Sequence, residues 1–151
     1  MPQTPSAAPK NLRLKGIVVC EAVLRLMRLA VDLVDDDLEC VVVYLAVIAA
    51  STSHLLRDPE NLALYSGDTP VPDDLRMGTT RRAIADSVGL PRETVRRKLA
   101  FLLEQGHIVE RDGLVTTSGS VLDQRRNLEF LLGALAEFDR TAIQLKRADE
   151  I

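Results

Sequence analysis

The sequence predicts a mainly helical fold with one short β-hairpin, and three observations carry that prediction. Aromatic residues are scarce, with no Trp, two Tyr and three Phe in 151 residues, while Leu, Ala and Arg are plentiful, which favours helices over a β-sandwich. Apolar residues recur three and four apart over long stretches. Only around Asp112-Gly113 do two β-prone runs flank a tight-turn dipeptide. With 46% hydrophobic residues the chain can build one domain's core without disulfides or metal.

The first residues, "MPQTPSAAPK", are Pro- and Ser-rich without an apolar run, so residues 1–11 are expected to be a disordered tail and not a signal peptide. An N-terminal helical region follows over residues 12–65. From Ile17 to Val34 the charged residues Glu21, Arg25, Arg28 and Asp32 recur four, three and four apart, one polar stripe on a helix whose remaining circumference should be covered. "DDD", Asp35 to Asp37, reads as a turn and N-cap, since carboxylates suit the positive end of a helix; a metal site would need a second ligand cluster, which is missing.

The next helix, about Leu38 to Arg57, is apolar almost all round and must be enclosed by other helices or by a second subunit. Its apolar core, Cys40 to Ala50, is shorter than the roughly 18 residues needed to cross a bilayer, so a cytoplasmic protein without membrane contact is expected. Cys20 and Cys40 lie in apolar runs outside any C-x-x-C pattern and read as buried reduced thiols. "DPEN", Asp58 to Asn61, supplies a cap and an initial Pro for a short helix to Tyr65. Residues 66–78, including "SGDTPVPDD", form a Gly/Pro/Asp-rich connection.

Beyond it, Thr79 or Thr80 caps a short helix to Val88, with Ile84, Ala85 and Val88 on its apolar side. Gly89 stops it. A second helix runs from Pro91 to Gln105, with Val95, Leu99 and Leu102 facing inward. A small Ala85, a turn at Gly89 and a β-branched Val95 six residues later form the spacing of a helix-turn-helix: Ala85 permits close approach, Gly89 tolerates positive φ, and Val95 fills the gap. The hairpin of "HIVERDGLVTT", His107 to Thr117, would form a wing.

On "RRAIADSVGLPRETVRRKL" and the "EQG-x-I" exit, residues 79–117, about a quarter of the chain, resemble the winged helix-turn-helix transcription regulators. Within that family the DNA-binding domain of the catabolite-activator (Crp/Fnr) type is most similar. The framework residues are Ile84, Ala85, Gly89, Val95 and Leu99. The cyclic-nucleotide barrel that precedes this domain in the family has no counterpart here, so its effector is not carried over. Helical flanks also resemble regulators of the multiple-antibiotic-resistance type, without a specific motif.

Charge supports the resemblance. Arg81 to Lys98 hold six basic and two acidic residues, a net of +4 in a chain whose formal charge is −3, leaving −7 for the rest. Such segregation orients an acidic protein toward a polyanion. The resemblance assigns base reading to Arg92, Glu93 and Arg97, in agreement with bidentate Arg–guanine and carboxylate–cytosine chemistry. Thr80, Arg81, Arg82, Thr94 and Arg96 suit DNA phosphates, and Arg111 at the wing tip suits phosphate or the minor groove. The competing reading is a solvated helix face, with Glu93 paired to Arg97.

His54 reads as a hydrogen-bonded histidine, with the lining of an effector cavity as the alternative, and His107 as structural. No HExxH, Gly-rich phosphate loop or nucleophile elbow occurs, so neither enzyme activity, cofactor nor metal is expected. Residues 118–151 read as a long C-terminal helix, in which Leu128, Leu131, Leu135, Phe138, Ala142 and Leu145 form a coiled-coil seam. That seam packs either on the chain's own N-terminal helices or on a second subunit. The leading expectation is a homodimeric, sequence-specific regulator of double-stranded DNA, open to an unidentified small-molecule effector, with half-sites about 34 Å apart. A winged-helix adaptor that binds proteins is the alternative.

Overall fold

The computed structural model describes residues 8–35 and 37–151. Its elements in chain order are α1 (Leu12–Val31), α2 (Leu38–Thr52), α3 (Pro59–Tyr65), α4 (Arg81–Val88), α5 (Arg92–Glu104), the strands β1 (Val109–Arg111) and β2 (Leu114–Thr116), and α6 (Arg125–Glu150). The expected mainly helical architecture, with one two-stranded antiparallel sheet and a long C-terminal helix, is observed.

Helix α2 is the centre of the core because it is apolar on every side. Val43, Tyr44 and Val47 are fully buried and pack in one cluster with Ile84, Val95, Leu99, Leu102 and Val115 from α4, α5 and β2. A single core therefore spans the 66–78 connection. Asp37 starts α2 as expected, its carboxylate accepting from the Cys40 N–H at 3.0 Å. By length and composition Leu38–Arg57 is apolar enough to cross a bilayer, with mean hydropathy 1.7, yet its inward residues are the core of this fold. The α-helix stops at Thr52 and tightens to a 3-10 turn over Ser53–Arg57. The Ser51 and Thr52 hydroxyls donate back to the Val47 and Ile48 carbonyls, the side-chain competition that bends a helix end.

Asp58 caps α3 and Pro59 opens it, as the sequence indicated. The hairpin pairs Val109 with Thr116 and Arg111 with Leu114, and its turn residues Asp112 and Gly113 have φ of 52° and 74°. Positive φ at both positions matches the right-handed strand twist. Thr79 adds an antiparallel bridge to Val115 that the sequence did not signal. Gly78 is needed beside it, since a Cβ there would lie 2.6 Å from Leu114 Cβ.

Helices α1 and α6 form an antiparallel arm. Asn11 donates to the Ala148 carbonyl at 2.7 Å, Arg25 Nε to Glu137 at 2.9 Å, and Leu29 lies over Gly133. Several expectations are corrected here. Helix α1 spans Leu12–Val31 and stops short of Val34, and Asn11 is anchored, not part of a tail; residues 1–7 of that tail, and Asp36 of the "DDD" turn, lie outside the described residues. The expected C-terminal helix starts only at Arg125, after a 3-10 turn over Gly119–Asp123.

The seam Leu128, Leu131, Leu135, Phe138 and Ala142 does not pack on the chain's own helices, because α6 meets α1 through another stripe containing Gly133, Ala134, Glu137 and Ala148. Small residues there allow closer approach, and Glu137 meets Arg25. Only Leu145 of the seam is half-buried. Helix α1 likewise is not covered over most of its circumference: of its residues only Ala22 and Ala30 are buried. Cys20 is accordingly exposed, contrary to expectation, while Cys40 is buried and its thiol is pushed up to about 11, chiefly by burial.

Candidate nucleic-acid interface

Helices α4 and α5 are joined by a turn in which Gly89 adopts φ 69°, a left-handed conformation that glycine enters without strain. Thr80 caps α4 by accepting from the Ala83 N–H at 3.1 Å. Pro91 occupies the N-cap of α5 with φ −56°, one position before the first helical residue, so the helix is Arg92–Glu104 and not 91–105. The framework positions are all inward except the turn glycine: Ile84 1% exposed, Ala85 4%, Val95 1% and Leu99 0%.

With that face buried, Arg92, Glu93, Arg96 and Arg97 stand on the exposed side of α5 near its N-terminus. Arg96 grips Glu93 with Nη2 to Oε1 at 2.6 Å and Nε to Oε2 at 2.9 Å. The pair is i, i+3, where the sequence alternative had Glu93 with Arg97. The Arg96 hydrogen bonds and charge hold the Glu93 carboxyl below its usual range, and Arg96 is raised in return. Among the described residues neither Arg92 nor Arg97 forms an ion pair.

The other backbone-contact candidates are partly committed. Arg81 binds Glu110 at 2.6 Å, tying the start of α4 to β1, and exposed Arg82 approaches Asp86 at 3.9 Å. Thr94 is half-buried. Arg111 is held by Asp73, with Nη2 to Oδ2 at 2.9 Å and Nη1 to the Asp73 carbonyl at 3.2 Å. Asp73 in turn accepts from the Gly119 N–H, and this bond and Arg111 hold its carboxyl low.

Lys98 does not belong to the exposed cationic face. Its Nζ lies 2.5 Å from Asp37 Oδ2 and 3.7 Å from Glu39, so α5 is tied to the start of α2. Burial acts to raise the Asp37 carboxyl, but the Lys98 bond and the Cys40 N–H outweigh it and leave it below its usual range. The signal was available: Val95, Lys98, Leu99 and Leu102 follow the i, i+3, i+4, i+7 pattern of an inner face.

His107 packs its ring against Tyr44, centroids 5.5 Å apart, which fits a structural role. Among the described residues the buried Nδ1 of His54 has no hydrogen-bond partner. A concavity of about 330 Å³ near the end of α2 is lined by Ala49, Thr52, Leu55, Leu62, Tyr65 and Val71, without His54. No known family, curated protein or solved structure matches this chain.

Proposed function

We propose that this chain is a sequence-specific DNA-binding transcription regulator of the winged helix-turn-helix class, acting as a cytoplasmic homodimer. One observation carries the reading: Arg92 and Arg97 are exposed and without an ion pair among the described residues, on a helix whose opposite face is locked into the core by Val95 and Leu99. A rigid helix that offers planar guanidinium groups near its N-terminus suits the major groove, where Arg binds guanine O6 and N7 in a bidentate manner. The hairpin beside it, with Arg111 next to the tip, serves as the wing. Glu93 reads a base only after Arg96 releases it.

The adaptor reading has one observation in its favour. Arg81, Arg96, Lys98 and Arg111 are each paired with a carboxylate of the same chain, which reduces the charge offered to a polyanion. Selection of bound fragments from genomic DNA, read by sequencing, separates the two. A palindromic motif with a fixed half-site spacing supports the regulator, whereas lack of affinity for any duplex at low salt supports the adaptor.

A further inference from the structure

We infer that the apolar side shared by α1 and α6 is the docking surface for a second copy of this chain, so that two arms close into a four-helix bundle. This deepens the homodimer reading by assigning its interface, and it does not require DNA binding to be correct.

The arm is apolar along one side of the helix pair, and Ile17, Leu24, Leu132 and Ile143 add exposed apolar residues on its outer surface. Because Arg25 meets Glu137 and Leu29 meets Gly133, Val23 lies level with Phe138 and Met27 with Leu135. At about 100° per residue, Val19, Val23 and Met27 of α1 and Leu131, Leu135 and Phe138 of α6 all turn to one side of the pair. Glu21, Arg25, Arg28, Glu129 and Arg140 turn to the other. Every one of the six apolar side chains is exposed, from 36% for Leu131 to 59% for Phe138. An apolar face of this extent on a single chain marks an interaction surface.

The area fits a second copy. The chain exposes 10337 Å² for a mass of 16.6 kDa, whereas a compact monomer of that mass exposes about 7,600 Å². The surplus, about 2,700 Å², is on the order of what one subunit contributes to a large permanent homodimer, roughly 1,000–2,500 Å² or more. The face is made of Val, Leu, Met and Phe, the composition of a core divided in two, and lacks the Tyr, Trp and Arg anchors of transient contacts. Its Leu131, Leu135, Phe138 and Ala142 keep the four, three, four spacing of a helix seam. A two-fold axis lets this one face satisfy itself. Helix α2 offers no comparable surface, since Leu38 and Val42 are its exposed large apolar residues among those described.

Sedimentation equilibrium of the full chain without DNA tests the inference. The expected mass is twice 16.6 kDa, and a wild-type monomer at micromolar concentration overturns it. Val23→Glu and Leu135→Glu lie outside the folded core, so both should keep their helical circular dichroism while the mass falls to one chain. Val42→Glu should remain dimeric. Dimers that persist in the first two variants, or dissociate only in the third, overturn the assignment. Cys20, near the middle of α1 on its open side, gives a second readout. Its maleimide labelling should slow as wild-type concentration rises, with buried Cys40 unreactive throughout, and a concentration-independent rate counts against the interface. A dimer that binds no DNA would sink the DNA-binding reading and leave this interface standing; a DNA-binding monomer would overturn this interface and the homodimer part of the proposed function while leaving DNA binding standing.

Discussion

Both carboxylate oxygens of Glu93 are occupied by Arg96, at 2.6 and 2.9 Å, on the exposed side of α5. Base reading by Glu93 therefore competes with an intrahelical pair, and that pair is weak in water because both groups are solvated. Replacing Arg96 by Ala should free Glu93, sharpening discrimination at one base position while removing about 0.9 from the salt slope of non-specific binding. Competition assays across single-base variants of the selected site measure both. Unchanged discrimination would leave Glu93 as a salt-bridge partner only.

If Arg92 and Arg97 read bases as proposed, Arg92→Ala and Arg97→Ala should each reduce preference for the cognate site by about 1–3 kcal/mol, the worth of one bidentate base contact. Equal loss on cognate and random duplexes would reassign them to phosphates.

At the hairpin, Asp73 neutralises Arg111 across 2.9 Å. Asp73→Asn keeps an oxygen to accept from the Gly119 N–H while removing the charge, so affinity for random DNA should rise. Arg111→Ala should lower affinity for all sequences alike and reduce the salt slope by about 0.9. If neither substitution changes salt-dependent binding, the hairpin does not contact DNA.

The link between α5 and α2 should appear in acid unfolding. Asp37 titrates below its ordinary value of 3.8 in the folded chain, so its contribution is present above that value and lost as pH falls through the lower folded one. Lys98 is raised above 10.5, and its contribution is lost only as pH rises through the folded value. Asp37→Asn should thus destabilise the protein at pH 7 and flatten the acid limb of its stability curve. Urea midpoints measured from pH 2 to 7 decide it, and parallel acid limbs for the two proteins would refute the linkage.

Within the core, Asn127 joins three elements by donating to the Val121 carbonyl at 2.6 Å and exchanging hydrogen bonds with the Tyr44 hydroxyl. Asn127→Ala leaves that carbonyl and hydroxyl unpaired and should cost about 1–3 kcal/mol, whereas Tyr44→Phe leaves only the Asn127 Oδ1 without its donor and should cost about 1 kcal/mol, the lower end of that range. Each kcal/mol lowers Tm by roughly 2–4 °C for a domain of this size. The reverse order of melting temperatures would contradict the network.

Legible along the chain were the local elements: a cap within Asp35 to Asp37, one at Asp58 and one at Thr79 or Thr80, the Gly89 turn, the Asp112-Gly113 hairpin, and the inward set Ile84, Ala85, Val95 and Leu99. These depend on φ, on single hydrogen bonds or on helical periodicity, which neighbours a few residues apart specify. Tertiary structure decided which of two apolar stripes on α6 would meet α1, the turning of Lys98 to Asp37, and the exposure of Cys20. Periodicity marks a face as apolar without saying what covers it. That choice is made by the fit of Gly133 beneath Leu29 and the pairing of Arg25 with Glu137, contacts between residues more than a hundred positions apart.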